Sequence, residues 1–323
     1  MEIREIQALC AKVKENMEKV IVGKSRQIDL VLAALLAKGH VLLEDVPGTG
    51  KTVLAKSLAK SMDTQFKRIQ FTPDLLPSDL IGINYYNQKE GEFVFREGAL
   101  FTNILLADEI NRATPRTQSS LLESMEEKQI TVDGTTYVLD KPFFVIATQN
   151  PVETQGTFPL PEAQLDRFLI QLSMGYTSKK EAVEILQRFV NKTPAENVEA
   201  VLSKEQLLDM QESVAKVAIH PDVAAYTVDI VEKTRDRDEV QLGVSPRGNL
   251  ALLKAAQALA AIRGREYVTP DDIKDLAIPV LGHRIILRGS QRNKTSQIKD
   301  LIEGILAEVE VPTEHWKDTV KER

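Results

Sequence analysis

The chain holds one cysteine, Cys10, in 323 residues, so no disulfide can close within it. Cys10 falls among Ile6, Leu9 and Val13 at helical spacing, which marks a packed thiol rather than a nucleophile. Long apolar runs are missing: Val31 to Ala37 is typical of the longest, far short of the roughly 20 residues a membrane span needs. The charged start, Met1-Glu2-Ile3-Arg4-Glu5, has no signal-peptide core. Cytoplasmic location without membrane insertion is the expectation. Excess positive charge is missing too. Lys and Arg number 41 against 47 Asp and Glu, a net charge of -6, which is a poor footprint for constitutive nucleic-acid binding. His40, His220, His283 and His315 are scattered without ligand-spaced partners, so each reads as structural and a zinc or iron site is not expected. No internal repeat or low-complexity stretch interrupts the chain.

What is present begins with Glu44-Asp45-Val46-Pro47-Gly48-Thr49-Gly50-Lys51-Thr52, which follows the apolar run His40-Val41-Leu42-Leu43 and precedes a helix-forming segment, Val53 to Ser61. Strand, glycine loop, Gly-Lys-Thr and helix is the layout of a P-loop. Glycines let backbone N–H groups curl around phosphate oxygens, and the helix N-terminus adds partial positive charge. Pro47, Gly48, Thr49, Gly50, Lys51, Thr52 and Val53 are therefore candidate nucleotide contacts, with Lys51 reaching the β/γ-phosphates and the Thr52 hydroxyl a candidate Mg²⁺ ligand. One position departs from the pattern: G-x-x-x-x-G-K-[ST] calls for glycine at 45, where this chain has Asp45. Upstream, Val20-Ile21-Val22-Gly23 is a short apolar turn; Val22 and Gly23 are candidates for the wall against a nucleotide base, and a helix staple explains the same pattern.

A second motif, Ile104-Leu105-Leu106-Ala107-Asp108-Glu109, is an apolar strand ending in two carboxylates. This is the Walker B form, with Asp108 helping to hold Mg²⁺ and Glu109 polarising the attacking water. P-loop and Walker B together imply ATP as cofactor, with Mg²⁺, and nucleotide hydrolysis.

The length suggests about two domains. An amphipathic helix opens the chain through Ile3, Ile6, Leu9, Val13 and Met17. Buried-strand candidates at His40–Glu44, Phe66–Phe71, Asn103–Asp108, Phe143–Thr148 and Phe168–Ser173 alternate with helical segments 51–62, 114–128 and 161–167, an α/β pattern with a parallel sheet and helices on both faces. Two hairpins interrupt it: Ile83 to Arg96 turning at Gln88-Lys89-Glu90-Gly91, and a second turning at Asp133-Gly134, a type I′ signal. Past Ser173 the strands are expected to stop. Capping boxes at Ser178-x-x-Glu181 and Ser203-x-x-Gln206, and helix starts at Ser245-Pro246 and Thr269-Pro270, predict a smaller all-α lid. The expected division is an α/β nucleotide-binding domain over 1–175 and a helical domain over 176–323, with Met174-Gly175-Tyr176-Thr177 as the hinge.

Further stretches carry a resemblance: Phe71-Thr72-Pro73-Asp74-Leu75-Leu76-Pro77-Ser78-Asp79, Asp108-Glu109-Ile110-Asn111-Arg112-Ala113, Ala147-Thr148-Gln149-Asn150-Pro151 and Leu160-Pro161-Glu162-Ala163-Gln164-Leu165-Asp166-Arg167-Phe168. With the P-loop they make the chain resemble, over almost its whole length, the AAA+ ATPases and within them the MoxR family of the helix-2-insert branch. MoxR sequences often carry a non-glycine at the position of Asp45. The resemblance implies that Asn150 is sensor 1, acting with Glu109; that Arg167 is an arginine finger reaching a neighbouring subunit's nucleotide, where a surface pair with Asp166 is the plain alternative; and that Arg247, in Gly243-Val244-Ser245-Pro246-Arg247, is sensor 2, acting on its own or a neighbour's nucleotide. It also implies a homo-oligomeric, hexameric ring, protein clients, and a partner with a von Willebrand factor A (VWA) domain. Gln70 could restrain Glu109 before assembly, although an ordinary strand-edge glutamine is the plainer reading. Tyr85, Tyr86, Phe93 and Phe95 are candidate substrate contacts in the first hairpin; mutual packing is the alternative.

Competing functions are a metal-chelatase motor subunit, which the sequence separates poorly, and a nucleic-acid-dependent motor. The second needs basic hairpins. Here Lys89 and Arg96 balance Glu90 and Glu92, and Lys128 and Lys141 balance Asp133 and Asp140. An enhancer-type transcription activator is a third: Gly98-Ala99-Leu100-Phe101-Thr102 looks superficially like that family's loop, but it adjoins the Walker B strand and no helix-turn-helix tail follows.

Overall fold

The structure, a computed structural model, describes residues 1–46, 48–150, 156–191, 198–289 and 294–312. Pro47, Pro151 and His315 lie outside the described residues. The central layer is a 5-stranded parallel sheet built from β1 (Val41–Glu44), β2 (Phe66–Gln70), β5 (Ile104–Asp108), β8 (Phe144–Gln149) and β9 (Ile170–Leu172), in the order β2-β5-β8-β1-β9. Between them stand two antiparallel hairpins, β3 (Ile83–Asn87) with β4 (Glu92–Arg96) and β6 (Gln129–Val132) with β7 (Thr135–Val138). The helices up to residue 173 are α1 (Ile3–Glu18), α2 (Ser25–Leu36), α3 (Lys51–Ser61), α4 (Pro77–Ile81), α5 (Pro115–Glu127) and α6 (Glu162–Leu165).

The strand sequences are continuously apolar because both faces of the sheet are covered. Val41 and Leu43, Ile104 and Leu106, and Phe144 and Ile146 enter one core with α1, α2 and α3. The alternating residues Leu42, Leu105, Ala107, Val145 and Ala147 enter a second core with α5 and the β6 hairpin. Each fully buried Leu or Ile stabilises the fold by about 1.5–3 kcal/mol. Cys10 lies in the first core, and burial pushes its thiol up to about 12, an unreactive position.

The Asp133-Gly134 turn has φ of 49° and 82°, the two left-handed residues a type I′ turn requires. The two hairpins form one body: Phe95 stacks on Tyr137 with centroids 4.1 Å apart and meets Phe101 edge-on, while Asn84 donates to Asp133 at 2.8 Å. Phe95 is thereby removed from the substrate-contact candidates, because its ring is spent on packing. Tyr86 and Phe93 meet edge-on at 5.4 Å, yet Tyr85, Tyr86 and Phe93 remain exposed.

Past residue 175, in the segment expected to form the lid, the described α-helices are α7 (Lys179–Asn191), α8 (Lys204–Val214), α9 (Pro221–Lys233), α10 (Pro246–Ile262), α11 (Pro270–Leu281) and α12 (Lys294–Glu308). The boxes at Ser178/Glu181, Ser203/Gln206 and Thr269/Asp272 cap their helices. Strands do not stop at Ser173, however: β10 (Val240–Leu242) pairs antiparallel with β11 (Ile286–Leu287). Segments of three and two residues are too short to show a period in the sequence. The lid core is continuous with the first core of the sheet, since α10 lies against α1 and α2.

His40 shows why a buried histidine here is structural. Its Nδ1 accepts the Val145 N–H at 3.0 Å, which leaves the proton on Nε2 to donate to the Met125 carbonyl at 3.2 Å. One ring thus ties the start of β1 to β8 and to the end of α5. Burial lowers its pKa from 6.5 to about 4. The folded state therefore binds fewer protons than the unfolded chain between these values, so the contribution is complete above pH 6.5 and shrinks as pH falls towards 4. Urea midpoints measured at pH 7.5 and 5 should fall for the native chain; His40→Gln should be less stable at pH 7.5 but lose less between the two pH values. An equal pH slope for both would remove His40 from the linkage.

Candidate functional site

The P-loop leaves β1 and enters α3 through Gly48 (φ +85°) and Gly50 (φ +89°). A Cβ built at either glycine meets nothing within 4 Å, so glycine is needed there for the left-handed backbone and not for space. Gly50 caps α3 without a side-chain acceptor, which leaves the first-turn N–H groups of Lys51, Thr52 and Val53 open towards an anion. The Lys51 ammonium rests on the carbonyls of Asp45 (3.1 Å) and Val46 (3.4 Å), neutral acceptors that do not cancel its charge. These features fit a bound triphosphate.

Asp45 explains its own departure from the P-loop pattern. Its φ is not positive, so this position does not need glycine. The buried carboxylate accepts from Ser173 Oγ at 2.9 Å, from the Met174 N–H, and from the Gly175 N–H at 3.2 Å. The expected hinge is thus stapled to the first residue of the P-loop. From the other side, Lys24 donates to the carbonyls of Gly175 (3.5 Å) and Tyr176 (3.2 Å). Val22 is buried, and Gly23 (φ +71°) sits so close to the Glu181 carboxylate that any Cβ would collide with it.

At the end of β5, Asp108 accepts from Arg68 Nη2 at 2.7 Å and from Thr148 Oγ1 at 2.6 Å. The same Thr148 hydroxyl accepts the Glu109 N–H at 2.8 Å. Glu109 lies in the left-handed region (φ 56°, ψ 51°), strained for a residue with a side chain. Its Oε2 accepts from Gln70 Nε2 at 2.8 Å and from Arg112 Nη1 at 3.0 Å. Gln70 is therefore more than a strand-edge glutamine: it touches the candidate base. Asn150 follows β8, whose Gln149 stands opposite Glu44 in the register and accepts the Asp45 N–H at 3.1 Å, so the candidate sensor emerges beside the P-loop as expected.

Arg167 and Arg247 are gathered elsewhere, on one carboxylate. Glu126, near the end of α5, accepts from Arg167 Nε at 2.8 Å through Oε2 and from Arg247 Nη2 at 2.6 Å through Oε1. The two guanidinium groups hold the Glu126 carboxyl below its usual range. Asp166 is not the partner of Arg167: it accepts from Arg284 Nε at 2.6 Å. Arg284 and His283, which follow α11, are buried against Phe168, and burial lowers the pKa of both.

Thr148, Arg112, Arg68 and Glu126 carry no role in the sequence reading, whereas Arg284, a packing residue or a subunit contact from sequence, is buried and bonds Asp166 and Phe168. Thr148 and Arg112 stand inside the motifs already noted, where spacing gives them no role. Glu126 meets its partners across 41 and 121 residues, a pairing no local pattern displays. Among the described residues no group of three or more His, Cys, Asp or Glu gathers as a metal cage. A Thr hydroxyl with one carboxylate is instead the kind of sparse oxygen set that Mg²⁺ uses when phosphates supply its remaining ligands.

Comparison with known proteins agrees with this geometry. Residues 40–170 match the ATPase family associated with various cellular activities (AAA), and residues 232–305 match the AAA lid domain. The chain is similar to YeaC of Bacillus subtilis, 52% identical with 96% of this chain and 97% of that protein covered. It is similar to Chaperone MoxR1 of Mycobacterium tuberculosis, 43% identical with 84% and 74% covered. A crystal structure from Cytophaga hutchinsonii superposes with a TM-score of 0.88 at 40% identity, covering 96% of this chain and 97% of that one.

The staple at Asp45 has a measurable consequence. Asp45→Ala leaves the buried Met174 N–H without its acceptor, at about 1–3 kcal/mol for a buried donor left unpaired, while the Gly175 N–H keeps Ser173 Oγ. Thermal denaturation should show a midpoint lowered by several degrees, at roughly 2–4 °C per kcal/mol for a large domain. Asp45→Gly, which restores the general P-loop pattern, should be no better, and Asp45→Asn should lose less because one oxygen remains. An unchanged midpoint for Asp45→Ala would show that the staple carries no stability.

Proposed function

Because the chain belongs to the MoxR family of AAA+ ATPases, we propose that it is a Mg²⁺-dependent, chaperone-like remodelling ATPase that works as a homo-oligomeric, hexameric ring. Its targets in this reading are partner proteins whose maturation, assembly or cofactor insertion it aids, together with a VWA-domain partner, in the cytoplasm. The observation that carries the catalytic part is Glu109: a carboxylate held in a strained backbone position at the carboxyl end of β5, with Asp108 beside it and the P-loop two strands away.

In this reading residues 1–175 bind and cleave the nucleotide and residues 176–323 form the lid. Val22 and Gly23 back the base, and Gly48, Thr49, Gly50 and the N–H groups of Lys51, Thr52 and Val53 cradle the phosphates, with Pro47 in the same loop. Thr52 and Asp108 would hold Mg²⁺, which supplies charge neutralisation at the phosphates. Glu109 accepts the proton of the attacking water, and Asn150 orients that water or the γ-phosphate. Gln70 and Arg112 bond the Glu109 carboxylate away from this task until nucleotide and neighbour are in place. Arg167 acts in the adjacent subunit's site, and Arg247 beside it. The exposed Tyr85, Tyr86 and Phe93 supply contacts for a protein surface rather than a phosphate backbone, since the hairpin charges balance. Among the described residues no helix is long and apolar enough to cross a membrane.

Lys51→Ala should lose both ATP binding and turnover, whereas Glu109→Gln should bind ATP and cleave it on the order of 10²-fold more slowly or worse. Equilibrium binding of a fluorescent ATP analogue and phosphate release separate the two, and near-normal hydrolysis by Glu109→Gln would sink the assignment.

The ATPase rate should not respond to single-stranded DNA, duplex DNA or RNA at about 0.15 M salt. A saturable several-fold rise with any of them would favour a nucleic-acid motor. The Tyr85→Ala, Tyr86→Ala, Phe93→Ala triple variant should keep basal hydrolysis and lose stimulation by a protein partner.

A further inference from the structure

Glu126 takes no part in the chemistry just described, yet it receives a guanidinium on each of its two oxygens, from segments far apart in the chain. The contact to Arg167 is made by Nε, at 2.8 Å. That is the inner nitrogen of the side chain, and its use leaves the outer Nη1 and Nη2 edge, which can grip phosphate with two N–H groups, out of this contact. The backbone of Arg167 is fixed from the opposite side. Buried Arg284 donates from Nη2 to the carbonyls of Asp166 (3.1 Å) and Phe168 (2.8 Å), the residues on either side of Arg167, and from Nε to the Asp166 carboxylate. Arg167 is thus anchored at the main chain by the lid and at the root of its guanidinium by α5. Without the shared carboxylate, two long cationic side chains would repel each other and regain their rotamer freedom.

We propose that Glu126 is a positioning residue: its carboxylate converges Arg167 and Arg247 into a single two-pronged clamp for an anionic phosphate presented by a neighbouring subunit. The inference rests on the reading of Arg167 as a residue that acts across the subunit boundary. It assigns Glu126 aim and not inhibition, because the grip on Arg167 leaves its outer edge out of the contact, while Arg247 is held through one outer nitrogen, Nη2, and presents the other. Both arginines and Glu126 are partly exposed, so the ion pairs themselves contribute little to folding. The effect of losing Glu126 therefore belongs in turnover rather than in stability.

The test uses the full chain, with Arg167→Ala measured first. It should abolish most turnover; full turnover by that variant would remove the cross-subunit reading and the clamp with it. Given that loss, Glu126→Ala should lower kcat on the order of 10-fold, with ATP affinity and thermal midpoint unchanged, and Glu126→Gln should fall between it and the native chain. The Glu126→Ala, Arg167→Ala double variant should be slower than Arg167→Ala by less than the factor that Glu126→Ala costs the native chain, since only the aim of Arg247 is left to lose. Glu126→Ala subunits mixed with Lys51→Ala subunits should regain hydrolysis, because the latter lend correctly aimed arginines to intact P-loops. Four results overturn the proposal while leaving the cross-subunit reading standing: an unchanged kcat for Glu126→Ala, a raised kcat, a defect confined to ATP affinity, or losses that multiply in the double variant.

Discussion

The carboxyl edge of the parallel sheet is the constraint on which the site depends. Parallel strands all deliver their next residues to the same edge, so the P-loop after β1, Glu109 after β5 and Asn150 after β8 meet there although they are distant in sequence. The order β2-β5-β8-β1-β9 sets which of them are neighbours. It places β8 between the P-loop strand and the Walker B strand, and Thr148 on β8 bonds the Asp108 carboxylate and the Glu109 N–H at the end of the Walker B strand. Two covered faces make that edge rigid, since alternate strand residues are locked into separate cores.

A second theme is the exchange of polar partners. Asp108 is held by Arg68 and Thr148, Glu109 by Gln70 and Arg112, Lys51 by loop carbonyls. In the proposed function each of these groups engages nucleotide, and here each is kept in hydrogen-bond contact by a protein partner. A buried or half-buried charge is costly without a partner, so such partners keep the groups in place at small cost. The backbone strain at Glu109 is tolerated because three separate contacts hold the residue.

The lid is tied to the same edge by two devices of different kind. Asp45 accepts from Ser173, Met174 and Gly175, fastening the chain where it leaves the sheet. Arg284 reaches back from the lid to the carbonyls around Arg167. A shared apolar core through α1, α2 and α10 completes the attachment.

Sequence alone determined the parts whose physics is local. Apolar runs marked the strands, Gly48 and Gly50 marked the left-handed turns, Asp133-Gly134 marked a type I′ hairpin, and Ser203 and Thr269 marked helix starts, because backbone sterics and capping act over a few residues. The motif residues of the P-loop and Walker B were legible for the same reason. Tertiary structure decided the rest. It decided why Asp45 replaces glycine, since the answer is three donors at Ser173, Met174 and Gly175; that Gln70 touches Glu109; that Phe95 packs on Tyr137; that β10 meets β11; and that Arg167 turns to Glu126 and leaves Asp166 to Arg284. Each of these is a contact between segments that the chain order leaves far apart. Which long-range partner a charge or a ring finds depends on where the whole fold brings it, and no short-range pattern encodes that.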